Sequence, residues 1–327
     1  MQRQFIAPLA AYLRDLGHEV WQVNGASRSI RRTISPWDVL AIARLWWTLR
    51  HLKIEVLHVQ TAKAGAVGRI AAWLAGTPRI VYTMHDVPFY DGLSPWRQRL
   101  YVWIERVLAK LCQAITVDSP AVKNRALVAQ VAPAHKIHVI SVGVDTSHFD
   151  PARYMRLLDL PMLCVGTVAR LVPEKGIDRF LELTWAISQH LPIHVLIVGD
   201  GPERMRLEAQ AHELHEFVGD QVDVRPLLAS MDLFVLPTQR EGLSVAVMEA
   251  MSMALPVVVS DLPAFDGLVI HERTGWRVPP MQWMTSLLWL LASSGLRSTL
   301  GRAARAHVQK YYEQSASCRA YAQVLTT

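Results

Sequence analysis

The chain has 327 residues, 51% apolar and 19% charged, which excludes intrinsic disorder and, at ~100–200 residues per domain, suggests two domains. Its three cysteines, Cys112, Cys164 and Cys318, show no paired spacing, which excludes a disulfide framework and a cysteine-based zinc site. The formal charge is +6, unevenly spread: residues 1–150 hold 18 Lys and Arg against 10 Asp and Glu (+8), residues 151–327 hold 16 against 18 (−2), so the first half suits an anionic partner.

In chain order, short apolar runs alternate with helical periods, the pattern of a parallel α/β protein. Residues 1–4 lead straight into an amphipathic pattern, and no secretory signal is expected. Ile6, Leu9, Ala10, Leu13 and Leu16 share one helix face ended by Gly17, and 19–23 reads as a strand. Then follow helix 37–52, strand 56–59, helix 64–74, strand 80–84, helix 96–111, strand 114–117 and strand 138–141. Residues 145–161, with Asp145, Asp150, Pro151 and Pro161, read as the linker between a domain 1–150 and a domain 151–327. The pattern restarts with strand 162–168, helix 177–189, strand 194–198, helix 203–215, strand 233–236, helix 245–253 and strand 257–260. Helices 283–291, 296–310 and 316–325 close the chain, and the last is expected to pack back on the first domain. The uncharged stretch 279–296 holds two prolines and several polar residues, so it reads as a packed helix rather than a membrane span. A doubly wound domain opens on a strand and this chain opens on a helix, so the first strand and its loop are expected to be missing.

Three strand-to-helix loops carry the candidate chemistry. In Glu241-Gly-Leu-Ser-Val-Ala-Val-Met-Glu249, the amides of Gly242, Leu243 and Ser244 precede a helix, where backbone N–H groups bind anions. Glu249 falls two turns on, roughly on the face of Glu241, so one carboxylate suits a group beyond the phosphates and the other a ribose. The plainer reading is a capping Glu241 and a solvated Glu249. In Gly166-Thr-Val-Ala-Arg170-Leu-Val-Pro-Glu-Lys175-Gly176, Arg170 and Lys175 suit a diphosphate clamp at the carboxyl edge of a sheet, against two solvated loop charges. Val198-Gly-Asp-Gly-Pro-Glu203 fails the dinucleotide fingerprint, because Arg204 stands where the third glycine belongs, and reads as a tight turn. In the first half, His85 follows a strand end and faces a cleft or serves as a structural histidine; Gly65 and Gly68 read as close helix packing.

Together these segments resemble the retaining glycosyltransferases of family 4. The family's E-x7-E motif matches at Glu241 and Glu249, and its Arg-x4-Lys pair at Arg170 and Lys175. Gly199-Asp-Gly-Pro-Glu, Val142-Gly-Val-Asp-Thr-Ser-His-Phe149 and Met231-Asp-Leu-Phe-Val-Leu-Pro are similar to further family segments. His58-Val-Gln-Thr-Ala-Lys-Ala-Gly65 and Val81-Tyr-Thr-Met-His-Asp-Val-Pro-Phe89 resemble its polysaccharide-assembly branch. The resemblance implies the GT-B fold, two Rossmann-like α/β domains facing across a cleft. It implies a nucleotide-sugar donor, a UDP-sugar ahead of a GDP-sugar, held by the C-terminal domain, with a saccharide or lipid-linked acceptor on the N-terminal one. Glu249 would hold the ribose, Arg170 and Lys175 the leaving diphosphate, Gly242–Ser244 the sugar or distal phosphate, and Glu241 and His85 the sugar; no metal or other cofactor is expected. The reaction would retain configuration by front-face attack, in the cytoplasm at the inner face of the membrane.

Asp86 stands where the family has glycine after the histidine, and 261–267 lacks the family's double glycine and glutamate. The missing first strand predicts poor folding or inactivity. Contact with an anionic membrane fits the basic half and the aromatic-basic stretches 46–50 and 94–103, although Trp46 and Trp47 read slightly better as core. Two other readings are a sugar-nucleotide epimerase on the same fold and a truncated, non-catalytic nucleotide-binding remnant. Nucleic acid is not expected as a partner, since the basic residues are dispersed.

Overall fold

A computed structural model describes residues 2–23, 37–89, 93–157 and 161–327. Three residues of the expected linker, 158–160, lie outside the described residues. The chain divides into two compact units, residues 1–142 with 316–327, and residues 143–315.

In the first unit, α1 (Gln2–Asp15) and α2 (Trp37–His51) precede β1 (Val56–Gln60), α3 (Ala62–Ala75), β2 (Arg79–Met84), α4 (Pro95–Ala109), β3 (Ala114–Val117), α5 (Pro120–Val128) and β4 (Ile137–Val139). The strands pair in sequence order, all parallel. Every residue of β3, and all but the first of β2, is buried, as expected of a parallel sheet covered on both faces. A Cβ on Gly65 would stand 2.5 Å from the Tyr82 ring, and one on Gly68 2.4 Å from Val59, so both glycines let α3 lie directly on the sheet.

The second unit holds β5 (Leu163–Val168), α6 (Ile177–Ser188), β6 (Ile193–Val198), α7 (Arg204–Glu208), β7 (His215–Gly219), α8 (Arg225–Ser230), β8 (Leu233–Leu236), α9 (Val245–Ser252), β9 (Val257–Ser260), β10 (Trp276–Val278), α10 (Trp283–Ala292) and α11 (Ser294–Tyr311). The closing helix α12 (Gln314–Thr326) lies almost wholly in the first unit. The second sheet runs β10-β9-β8-β5-β6-β7, all parallel. The order proceeds one way from β5 and the other way from β8, so the topological switch falls between those two strands. Loops leaving the carboxyl ends of such a pair diverge and open the crevice in which open α/β sheets bind ligands.

Three expectations need correction. Residues 19–23 are not a strand: Trp21 and Val23 are exposed, and among the described residues no strand lies alongside to complete their hydrogen bonds. The helix expected over 203–215 stops at Glu208, and His215 opens β7; the His212 N–H donates to His215 Nδ1 (2.9 Å), a turn that breaks the helical course. Trp46 and Trp47 are exposed rather than core. The stretch 279–296 contributes α10, whose Trp283, Leu287, Leu290 and Leu291 join the second core, and among the described residues no helix is long and apolar enough to cross a membrane.

Candidate active site

The loops at the switch point are built against one another. After β5, the Ala169 N–H donates to Val198 O (2.9 Å) and the Leu171 N–H to Asp200 O (2.9 Å), while the Glu203 N–H returns to Leu171 O (3.1 Å). The approach is so close that a Cβ on Gly199 would lie 2.0 Å from Ala169 O, and one on Gly201 2.2 Å from Leu171 O. Gly199 also sits at φ +127°, where side chains are strained. The Gly-Asp-Gly segment is not a dinucleotide fingerprint; it runs, as expected, into a tight turn at the start of α7, where the Arg204 N–H donates to Gly201 O (3.1 Å), and it has a second role. It is the backbone support of the loop that presents Arg170.

The β8 loop is pinned to the same structure. The Gln239 N–H donates to Glu174 O (2.8 Å), and the Thr238 hydroxyl lies 2.8 Å from Glu174 O and 2.9 Å from Arg240 O. Gly176, left-handed at φ 65°, starts α6 against Pro237 O, 2.2 Å from where a Cβ would stand. This clamp brings Lys175 and Glu241 into an ion pair, both largely shielded from solvent. Glu241 is thus a partner of Lys175 rather than a helix cap. Among the described residues Arg170 pairs with Glu174, at 3.7 Å, and its guanidinium is half exposed, able to turn toward an anion.

Gly242, Leu243 and Ser244 lead into α9, where Ser244 occupies the N-cap without capping through its side chain, so the first amides of the helix are not satisfied by it. Glu249 lies two turns on and is 3% exposed, among Val247, Met248, Ala250 and Met251. It is not the solvated residue of the plainer reading. Burial pushes its carboxyl up to about 7, far above an ordinary glutamate.

His85 belongs to the first unit, just past β2. Its Nδ1 meets Asp118 Oδ2 at 2.7 Å and its Nε2 meets Gln60 Oε1 at 3.2 Å, so three adjacent strand ends converge on one imidazole. Asp118 is buried, and among the described residues its other oxygen has no hydrogen-bond partner. His58 sits nearby with Nε2 2.7 Å from Thr83 Oγ1; burial first, then the neighbouring His85, pull it down to about 4. Asp86, the departure noted in the sequence, accepts from the Val87 N–H (2.8 Å) and from Arg125 (2.9 Å), making its own turn. Sequence reasoning missed Gln60 and Asp118. The available signal was position alone, each standing at the carboxyl end of a strand, the ligand edge of an open sheet. Among the described residues no group of three or more His, Cys, Asp and Glu is placed to hold a metal ion.

The model of Glycosyltransferase Family 4 matches residues 3–148, and that of Glycosyl transferases group 1 matches residues 162–293. The UDP-Gal:alpha-D-GlcNAc-diphosphoundecaprenol alpha-1,3-galactosyltransferase of Escherichia coli is 29% identical over 74% of this chain and 66% of its own length. A GDP-mannose-dependent alpha-mannosyltransferase of Mycobacterium tuberculosis is 30% identical over 72% of this chain and 63% of its own length. The chain thus spans about two thirds or less of the length of these curated relatives. Among solved structures, Anabaena HepE in complex with UDP and glucose aligns with a TM-score of 0.76 at 21% identity, over 90% of this chain and 84% of that one. A glycosyltransferase from Rickettsia africae aligns at 0.78 and 16% identity, over 98% and 92%. At these identities the likeness shows the fold, which is GT-B. With the two family models together matching most of its length and the switch-point loops built as described, the chain belongs to the family-4 glycosyltransferases.

Proposed function

We propose that this chain transfers a sugar from a nucleotide sugar to a saccharide or lipid-linked saccharide acceptor, with retention of configuration, in cell-surface polysaccharide synthesis. The observation that carries the reading is the clamp at the switch between β5 and β8, which presents Arg170, Lys175, Glu241 and the start of α9 from two interlocked loops. In the transfer, the bond from the anomeric carbon to the diphosphate oxygen breaks and a bond to the acceptor oxygen forms on the same face. The acceptor proton leaves with the diphosphate. Arg170 and Lys175 neutralise the charge that develops on the leaving group, which accelerates the step because they act most strongly in the transition state. Glu249 takes the ribose hydroxyls, the Gly242–Ser244 amides the distal phosphate or the sugar, and Glu241 the sugar hydroxyls.

His85, oriented by Asp118, is proposed as a sugar-contacting residue. With two cationic side chains on the diphosphate, the reaction is proposed to run without a metal. A UDP-sugar is favoured over a GDP-sugar, on the UDP-Gal donor of the Escherichia coli relative and the UDP complex of HepE, against the GDP-mannose named for the mycobacterial one. The proposed place of action is the cytoplasm, at the inner face of the membrane. The relatives compared are named as transferases, which weighs against epimerisation.

A thermal-shift panel of UDP, GDP and their sugars tests the donor site, with Glu249→Ala as control. A ligand at 100 times its Kd adds about 2.7 kcal/mol of stability. Stabilisation by one nucleotide series, abolished in the variant, supports the site and identifies the base. A folded chain stabilised by none of them overturns it. Donor binding without sugar transfer to any lipid-linked or free saccharide points to the non-catalytic remnant.

A further inference from the structure

Strands β1, β2 and β3 carry a row of polar side chains in register on one face of the first sheet. Gln60 pairs with Thr83, and Thr83 with Thr116, across the three strands. Two residues beyond the threonines, and so on the same face, come His85 and Asp118; two before Gln60 comes His58. The row is tied by hydrogen bonds. His58 Nε2 lies 2.7 Å from Thr83 Oγ1, and Thr83 Oγ1 lies 2.6 Å from Thr116 Oγ1. His85 Nδ1 lies 2.7 Å from Asp118 Oδ2, and its Nε2 lies 3.2 Å from the Gln60 side-chain oxygen. Thr83, Thr116 and Asp118 are buried, and Phe5 of α1 stands edge-on to the rings of His58 and His85, at 6.5 and 6.4 Å. Gln60 ends β1, and Thr61 starts α3 from φ 66° and ψ 156°. That backbone conformation is costly for a β-branched residue and persists only where the surrounding structure fixes it. Here it turns the chain out of the sheet directly after Gln60, with Thr61 alone between strand and helix.

The contacts of His85 define its hydrogens. A carboxylate only accepts, so the bond to Asp118 places a hydrogen on Nδ1. Gln60 faces the remaining nitrogen. A neutral ring offers a lone pair there and calls for the NH2 end of the amide. A ring with hydrogens on both nitrogens calls for the oxygen end. A half-turn of the glutamine amide exchanges its two ends at the same point, so Gln60 satisfies Nε2 in either state. A carboxylate, an ammonium or an apolar side chain at position 60 would satisfy one state or neither. His58 adds no charge beside the ring near neutral pH, since burial, and then His85 itself, hold it down to about 4. Asp86, next in the chain, is turned to Arg125 and to the N–H of its own loop.

We propose that Gln60 is a positioning residue for His85: its amide holds the ring nitrogen that Asp118 leaves over and keeps it aligned for a sugar hydroxyl, which likewise both donates and accepts. The inference rests on the reading of His85 as a sugar contact. A ring fixed at both nitrogens before the sugar arrives has less orientational freedom to lose during the reaction. The ring is observed in the donor-free chain, so a failure here and a failure of the donor site are read separately.

The test is long-range proton–nitrogen NMR of the whole chain with isotope-labelled histidine, at a pH where the parent His85 ring carries one hydrogen. His85→Asn identifies the signal. Gln60→Met keeps the length of the side chain and removes its polar end. Gln60→Glu keeps the shape and leaves only acceptors. Circular dichroism establishes that each variant is folded. The parent ring is expected to carry its hydrogen on Nδ1. Gln60→Met is expected to move the Nε2 signal to that of an unbonded lone pair and to leave the Nδ1 hydrogen in place. Gln60→Glu is expected to put hydrogens on both nitrogens. In the sugar-transfer assay Gln60→Met is expected to lose about 3- to 10-fold in kcat at unchanged KM for the donor, the worth of one hydrogen bond. A parent ring with its hydrogen on Nε2 overturns the proposal, and so does an Nε2 signal that both substitutions leave in place. A moved signal with unchanged kcat overturns the positioning role and leaves Gln60 a structural partner of the ring.

Discussion

Lys175 and Glu241 form an ion pair that joins the loop after β5 to the loop after β8, at the point where the strand order of the second sheet reverses. In the donor-free chain the carboxylate occupies the ammonium that the proposed diphosphate needs. Glu241→Gln removes that competitor, so UDP is expected to bind a few-fold more tightly while sugar transfer falls. Lys175→Ala has the opposite binding effect. It leaves the Glu241 charge facing the phosphates and is expected to lower kcat by about 10²–10³, the scale for losing one transition-state charge donor. Calorimetry with UDP and a transfer assay on the same preparations check both. Equal losses of UDP affinity in the two variants would contradict the competition.

Burial raises the Glu249 carboxyl from 4.5 to about 7, which makes the stability of the donor-free chain depend on pH in a defined sense. Between those values the folded chain keeps a proton that the unfolded chain has released, so stability falls as pH rises. The stabilising contribution is complete below about 4.5 and is lost as pH passes 7. At ~1.4 kcal/mol per unit the loss reaches about 3 kcal/mol. Glu249→Gln carries no titrating group there. Its melting temperature is expected to match that of the parent near pH 4.5 and to exceed it increasingly up to pH 7.5. A constant difference across that range would show that Glu249 does not titrate in the window.

Gly201 tests the support of the Arg170 loop. A Cβ there meets Leu171 O at 2.2 Å, and Leu171 is fully buried with its own N–H bonded to Asp200 O, so neither backbone can retreat freely. Gly201→Ala is expected to cost about 1–3 kcal/mol, the scale of overpacking, and to weaken nucleotide binding by displacing residues 169–171. Gly295 provides the contrast, since a Cβ there meets nothing within 4 Å. Gly295→Ala in α11 is expected to leave nucleotide binding unchanged and stability unchanged or raised by up to about 1 kcal/mol. Denaturant midpoints and UDP affinity of the two variants, measured together, separate a collision from a general intolerance of alanine.

The parts of this architecture that were legible in the sequence are those encoded by neighbours along the chain. Ala114–Val117, Leu233–Leu236 and Val257–Ser260 are short, wholly apolar or nearly so, and bounded by polar turns, and their limits in the structure coincide with the reading. Arg170 with Lys175, and Glu241 with the α9 start, follow such strands directly, so their loops were placed correctly. Long-range contacts were not legible. No spacing links Gln60, His85 and Asp118, which meet because β1, β2 and β3 are adjacent in the sheet. The depth of Glu249 depends on which side of α9 faces the core, and an eight-residue interval does not specify that. β7 was hidden because His215-Glu-Phe-Val suits a helix as well as a strand until its pairing with β6 decides.

Arg69 and Glu105 offer the sharpest test of the first unit. Arg69 is fully buried, donates from Nε to Gly65 O (3.0 Å), binds both oxygens of Glu105, and lies 3.9 Å over the Tyr82 ring. Arg69→Met strands the Glu105 carboxylate in the core and is expected to destabilise by about 3–5 kcal/mol. Arg69→Lys recovers little, because an ammonium cannot reproduce the two-pronged contact with Glu105 or the bond to Gly65. Arg69→Met with Glu105→Leu removes both charges together, and most of the lost stability is expected to return, since well-packed apolar replacements of a buried ion pair are often neutral. Urea denaturation of the three variants decides the matter. A double variant no more stable than Arg69→Met would mean that the contacts of Arg69 with Gly65 and Tyr82, rather than the stranded charge, account for the loss.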